Sequence, residues 1–88
     1  MLNVGFDSYV AENQIIAIVS YGGAKLKAEV SRRKKEEGTG KSLLQDCTKN
    51  RVIKSVVVCS DGTYVLSSVN SSTLAARLNS GTANKSKN

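Results

Sequence analysis

At 88 residues and 9.4 kDa the chain has room for one small domain with a modest core, and its hydrophobic share of 40 % is that of a folded globular protein. Two cysteines and no histidine rule out a Cys/His zinc site within one chain and every histidine-dependent nucleophile pair, while the longest apolar run, Ile15–Val19, is far below the roughly 20 residues that cross a bilayer. The formal charge of +6, from 13 Lys+Arg against 7 Asp+Glu, suits a polyanionic partner, most often nucleic acid.

Leu2–Val10 alternates imperfectly and reads as one strand with a glycine interruption, or bulge, at Gly5. The polar patch Ala11–Gln14 makes a turn, and Ile15–Val19 is a β-branched run suited to a central strand. These two strands are expected to pair as an antiparallel hairpin, which Ser20–Gly23 ends. From Ala24 to Glu37 good helix formers run without Gly or Pro, Leu26 and Val30 share one face, and Gly38 is placed to stop the helix. Strand character returns at Leu43–Leu44. Val52–Cys59 and Thr63–Val69 then flank Ser60-Asp61-Gly62, the strongest hairpin signal in the chain. Asn70–Thr73 offers N-caps for a short helix with Leu74 and Leu78 four residues apart.

Residues 79–88 contain alanine as their only hydrophobic type and are expected to form a disordered tail. The predicted order is therefore β-β-α-β-β-β-α, an α+β domain over residues 1–78 with an antiparallel-rich sheet and two helices. Both cysteines fall in strand-like runs and are expected as reduced, buried thiols. No basic segment followed by an apolar one opens the chain, so a cytoplasmic protein without a membrane partner is the expectation.

Catalysis finds little to work with. Gly38-Thr39-Gly40-Lys41-Ser42 ends like a Walker A loop, but position 35 is a lysine where that loop needs glycine, and the segment follows a helix instead of a strand. It reads as an exposed connector. Acidic residues are few and scattered, so no general base with a partner can be named, and no enzyme, cofactor or small-molecule substrate is expected.

The cations are more informative because they are unevenly spread: residues 1–24 carry −2, residues 25–54 carry +6 and residues 55–88 carry +2. Arg32–Lys35 covers slightly more than one helical turn, so its charges spread around the axis. Lys49-Asn50-Arg51 fills the turn between two strands, with Lys54 three residues on. Arginine can grip guanine bidentately and asparagine can pair with adenine, so such a turn at a sheet edge can reach phosphates and base edges. The bland alternative is a solvated turn.

A series of short phrases stands in fixed order: Asn3-Val4-Gly5-Phe6, Ile16-Ala17-Ile18-Val19-Ser20, Asp46-Cys47-Thr48, Arg51 with Val56-Val57-Val58, Ser60-Asp61-Gly62, Val65–Val69 and Thr73–Leu78. Together they resemble the bacterial RemA family, extracellular matrix regulatory protein A, over roughly residues 2–78. The resemblance implies a DNA-binding transcriptional regulator that activates biofilm-matrix genes, with a LytTR-like fold assembled into a homo-oligomeric ring on double-stranded DNA. It also implies the contact residues. Arg51 matches the first arginine of the family's paired-arginine turn, Val52 replaces the second, Lys54 stands where a later arginine is usual, and Gln14 replaces an arginine of the first hairpin. The family's prolines before each helix are Lys25 and Ser71 here, and Thr39–Ser42 looks like an insertion. The expected DNA-binding set is thus Arg51 and Lys54, supported by Lys49, Asn50 and Gln14. Two alternatives remain: an RNA-binding module using the same turn, for which Phe6, Tyr9, Tyr21 and Tyr64 are too scattered to make a stacking platform, and a structural assembly protein whose charge serves solubility.

Overall fold

The computed structural model describes residues 1–36 and 43–87, with side chains as far as Asn79. Three strands open the chain, β1 (Leu2–Gly5), β2 (Ser8–Val10) and β3 (Ile15–Ser20), with a 3₁₀ turn at Glu12–Gln14 before β3. Helix α1 (Ala24–Lys35), strands β4 (Leu44–Asp46), β5 (Ser55–Cys59) and β6 (Tyr64–Ser67), and helix α2 (Ser71–Lys87) follow. The domain is α+β, with two helices and mostly antiparallel strands.

The principal sheet has the order β3-β5-β6-β4; β3 pairs with β5 and β5 with β6 antiparallel, and β4 lies parallel to β6. Alternation along its central strands sends side chains to two cores. Val57, Cys59 and Val65 join Leu2, Val4, Val10, Cys47 and Leu74 beneath the β1–β2 hairpin and α2. Val56 and Leu66 face the other way and pack with Val30 of α1, flanked by Leu26, Leu44 and Tyr64. A sheet covered on both faces explains why β5 is an unbroken apolar run. Both cysteines are buried and unbonded. The buried Ser67 hydroxyl ties the hairpin down by donating to the Val4 carbonyl at 2.7 Å and accepting from Val69 N–H at 3.0 Å.

The expected pairing of Leu2–Val10 with Ile15–Val19 is not what forms. Leu2–Val10 folds back on itself, with Leu2 opposite Val10 and Gly5 opposite Ser8. The reversal lies at Phe6 and Asp7, whose φ angles of 51° and 60° are both left-handed, the backbone of a two-residue hairpin loop. Phenylalanine gives no turn signal, so the reversal was hidden, although the register shift between Asn3 and Gly5 is the anticipated irregularity. Released from β2, the β-branched β3 pairs along β5 instead, and three strands rather than two precede α1.

Elsewhere the boundaries move less. The Asp-Gly hairpin forms: Gly62 N–H donates to the Cys59 carbonyl at 2.9 Å, and Gly62 takes φ 91°. Strand β5 begins at Ser55 instead of Val52, because residues 51–53 belong to the preceding connection. Gly38 and the Thr39–Ser42 stretch lie outside the described residues. The backbone of α2 stays helical to Lys87, past residue 78 where composition ends the folded domain; once a helix is nucleated, each further residue adds its own hydrogen bond.

Candidate nucleic-acid interface

Strand direction decides where the cations gather. Because β5 runs antiparallel to its neighbours, residues 47–54 leave the end of β4 and enter the start of β5 at one end of the sheet. At that end Cys47 N–H donates to the Leu66 carbonyl at 3.0 Å, and Lys54 N–H donates to the Ser67 carbonyl at 2.8 Å. Both ends of the connection are thereby anchored to β6, and its middle projects.

Asp46 shapes the projecting part. Its Oδ1 accepts from the Thr48 N–H at 2.8 Å and from the Thr48 hydroxyl at 2.6 Å. Partial burial works to raise the Asp46 pKa, but these Thr48 hydrogen bonds and the charge of Lys34 outweigh it, so the carboxyl stays below its usual range. Thr48, itself buried, then accepts from Arg51 N–H at 3.1 Å across a tight turn. The two residues inside that turn, Lys49 and Asn50, take φ of 50° and 68°. Asparagine tolerates this conformation; lysine adopts it at a cost of about 1 kcal/mol or more, as backbone held at functional sites often does.

The β1–β2 tip stands beside this turn. The Phe6 ring lies 5.8 Å from Lys49 Nζ and 5.4 Å from the Arg51 guanidinium carbon, close enough for its face to attract both cations. Phe6, Asn50, Arg51, Val52, Lys54 and Ser68 line an open groove of about 510 Å³. Among the described residues none of Lys49, Arg51 and Lys54 forms an ion pair. Val52 projects with 75 % of its surface exposed. The groove therefore offers two cations, an amide and a hydroxyl over an aromatic floor, a set that can hold phosphate, sugar and base edge together.

Four of the five expected contact residues, Lys49, Asn50, Arg51 and Lys54, are thus brought together. Gln14 is not among them. Its carbonyl accepts from Ser60 N–H at 2.7 Å, so it sits at the far end of β5, roughly 20 Å from Lys54 at about 3.3 Å per strand residue. There it lines a smaller hollow of about 220 Å³ with Tyr9, Gln45, Asp61 and Thr63. Phe6, Val52 and Ser68 are the groove residues that sequence reasoning missed. Gly5 and Asp7 around Phe6 were the available sign that it caps a turn.

The Arg32–Lys35 run behaves otherwise. Arg32 bridges Glu29 at 2.5 Å and Glu36 at 2.6 Å. Arg33 stacks on Tyr64 with its guanidinium carbon 3.8 Å from the ring centre and donates to the carbonyls of Leu43 and Gly62 at 2.8 and 2.6 Å. Arg32 thus closes ion pairs within α1, while Arg33 ties the helix to the sheet.

The whole domain matches the family model for RemA-like proteins, described as extracellular matrix regulatory protein A-like, over residues 1–78. The chain belongs to the RemA-like family. A protein of Alkaliphilus metalliredigens is 35 % identical over 85 residues, covering 97 % of this chain and 86 % of its own length. Proteins of Bacillus cytotoxicus and Bacillus mycoides are each 38 % identical over 78 residues, covering 89 % of this chain and 84 % of theirs. All three are named as candidate regulatory proteins. Among the described residues of this RemA-like chain no helix is long and apolar enough to cross a membrane.

Proposed function

We propose that this RemA-like chain is a DNA-binding transcriptional regulator of the type that activates biofilm-matrix genes, acting in the cytoplasm as a homo-oligomeric ring that holds duplex DNA against residues 47–54. The observation that carries the reading is the turn itself: Lys49 and Arg51 flank Phe6 on a left-handed reversal, with Lys54 and Asn50 on the same groove and no carboxylate paired to any of the cations among the described residues. Regulatory naming of the relatives supports it. Each turn supplies only a few phosphate contacts, so repetition around a ring is what makes the binding tight and strongly salt-dependent.

The test is a fluorescence-anisotropy titration of a duplex with the full chain over a series of salt concentrations. Replacing Arg51 and Lys54 together by alanine is expected to weaken binding roughly 100-fold and to reduce the salt slope by about 2. Unchanged affinity in that double variant removes the site. Light scattering on the same preparation reads the assembly, and a monomer mass removes the ring. Phe6 gives RNA a second reading, since an exposed ring beside arginine can stack an unpaired base; preferential displacement of the duplex by single-stranded RNA would favour it.

A further inference from the structure

Neither its turn nor the core explains Phe6. It holds a left-handed position, φ 51°, which glycine, asparagine or aspartate would take with less strain, and 39 % of its surface is exposed. The frame around it is firmly tied. Asn3 Oδ1 accepts from the Gly5 N–H at 2.7 Å, Arg77 donates to the Asn3 carbonyl at 3.0 Å, and the Ser67 hydroxyl donates to the Val4 carbonyl. The hairpin is thus fixed to β6 and α2, and its tip carries an aromatic ring out to the β4–β5 connection.

There the ring meets cations. Its centre lies 5.8 Å from Lys49 Nζ and 5.4 Å from the Arg51 guanidinium carbon, and neither cation has a carboxylate within ion-pair distance among the described residues. A carboxylate in the place of the ring would also restrain them, but it would offset their charge and repel a phosphate. The electron-rich ring face attracts the cations and leaves their charge available to an incoming anion. Long side chains restrained beforehand lose less freedom when they bind, which tightens a complex without adding a contact.

We propose that Phe6 is a positioning residue, whose ring holds Lys49 and Arg51 in place at the groove before nucleic acid arrives. This role rests on the proposed DNA-binding function and deepens it. The turn supplies the charge, and the first hairpin, far earlier in the chain, sets where that charge stands.

The experiment titrates a duplex with the full chain over a salt series, for the wild type, Phe6→Leu, Phe6→Tyr, Arg51→Ala, and Phe6→Leu combined with Arg51→Ala. Leucine keeps the apolar bulk and loses the ring. Phe6→Leu is expected to weaken binding roughly fivefold with an unchanged slope of log K against log salt, since no cation is removed. Phe6→Tyr, which keeps a ring face, should recover most of that loss. In the Arg51→Ala background the Phe6→Leu change should cost only about twofold, because the ring then has Lys49 alone to hold. Proton NMR of the free protein gives an independent reading, in which the ring current of Phe6 should move the Arg51 side-chain protons upfield. Full affinity in Phe6→Leu, or equal losses in both backgrounds, overturns the positioning role and leaves the turn standing; equal losses would mean that the ring meets the nucleic acid itself. Wild-type Arg51 protons at their unfolded-chain shifts overturn it as well, whatever the variants do. Absence of wild-type binding at low salt overturns the DNA-binding function together with this role.

Discussion

Helix α1 and the β4–β5 connection hold the two densest groups of cations in the chain, and the fold treats them in opposite ways. On α1 the arginines have carboxylates at three- and four-residue spacing, so Glu29, Arg32, Arg33 and Glu36 satisfy one another. In the connection Lys49, Arg51 and Lys54 have an aromatic ring and open solvent. The lesson is that basic character alone does not mark a binding surface. Arg33 shows that a ring face alone does not separate the two groups either; the cations of the connection differ in having no carboxylate partner among the described residues and in standing at an open groove.

The sharpest way to break that contrast is to exchange the two arginine roles experimentally. Arg51→Ala should cost about 1–3 kcal/mol of duplex binding and leave the melting temperature within a degree or two, because its side chain is exposed. Arg33→Ala should do the reverse. Its side chain is only 15 % exposed and donates to two carbonyls and to Glu29, so its loss should destabilise the domain by about 2–3 kcal/mol in urea unfolding. Binding per folded molecule should stay as in the wild type. If Arg33→Ala proved stable but deficient in binding, the division between structural and contact arginines would be wrong.

Gly62→Ala comes next in size. Gly62 sits at φ 91°, where a Cβ is strained, and a Cβ there would approach Leu43 Cδ1 to 3.2 Å. The same residue's carbonyl receives Arg33. We expect a loss of about 1–2 kcal/mol in the same urea experiment, with duplex affinity unaffected because the hairpin tip lies at the end of the sheet away from the turn. A binding defect without a stability change would place the tip at the interface.

Much of this architecture was legible in the sequence, and the failures have physical causes. The Asp-Gly hairpin, α1 and the clustering of Lys49, Asn50, Arg51 and Lys54 follow from local signals: turn residues between β-branched runs and a change of period at Ala24. Pairing between distant strands has no such signal. The run Ile15–Val19 is compatible with either β2 or β5, and only the hidden reversal at Phe6–Asp7 decides it. The same reversal delivers Phe6 to the groove, so one unread turn obscured both the topology and the floor of the site. Which cations on α1 face inward was equally unreadable, because Arg33 meets the Gly62 carbonyl 29 residues away and its stacking partner Tyr64 is similarly distant.

The smallest expected effect is a titration that belongs to α1 alone. Hydrogen bonds from Arg32 and then Arg33, against some desolvation, lower Glu29 from the ordinary 4.5 to about 2. A carboxyl with a depressed folded pKa stabilises the native state fully above its unfolded value, and that contribution disappears as pH falls from about 4.5 toward about 2. Glu29→Gln should therefore flatten the decline of stability across this window, measured as urea midpoints at successive pH values. Some decline should persist, because Asp46, lowered by its Thr48 hydrogen bonds and the charge of Lys34 against partial burial, and Asp61, lowered by Thr63 hydrogen bonds, also lose stabilisation as acid protonates them. Near neutral pH the variant should bind duplex as the wild type does, since Lys49, Arg51 and Lys54 owe none of their placement to Glu29. An undiminished acid slope in Glu29→Gln would mean that Arg33 is held by its backbone and ring contacts without Glu29, and the Glu29 pairing would lose its place in the contrast between the two regions.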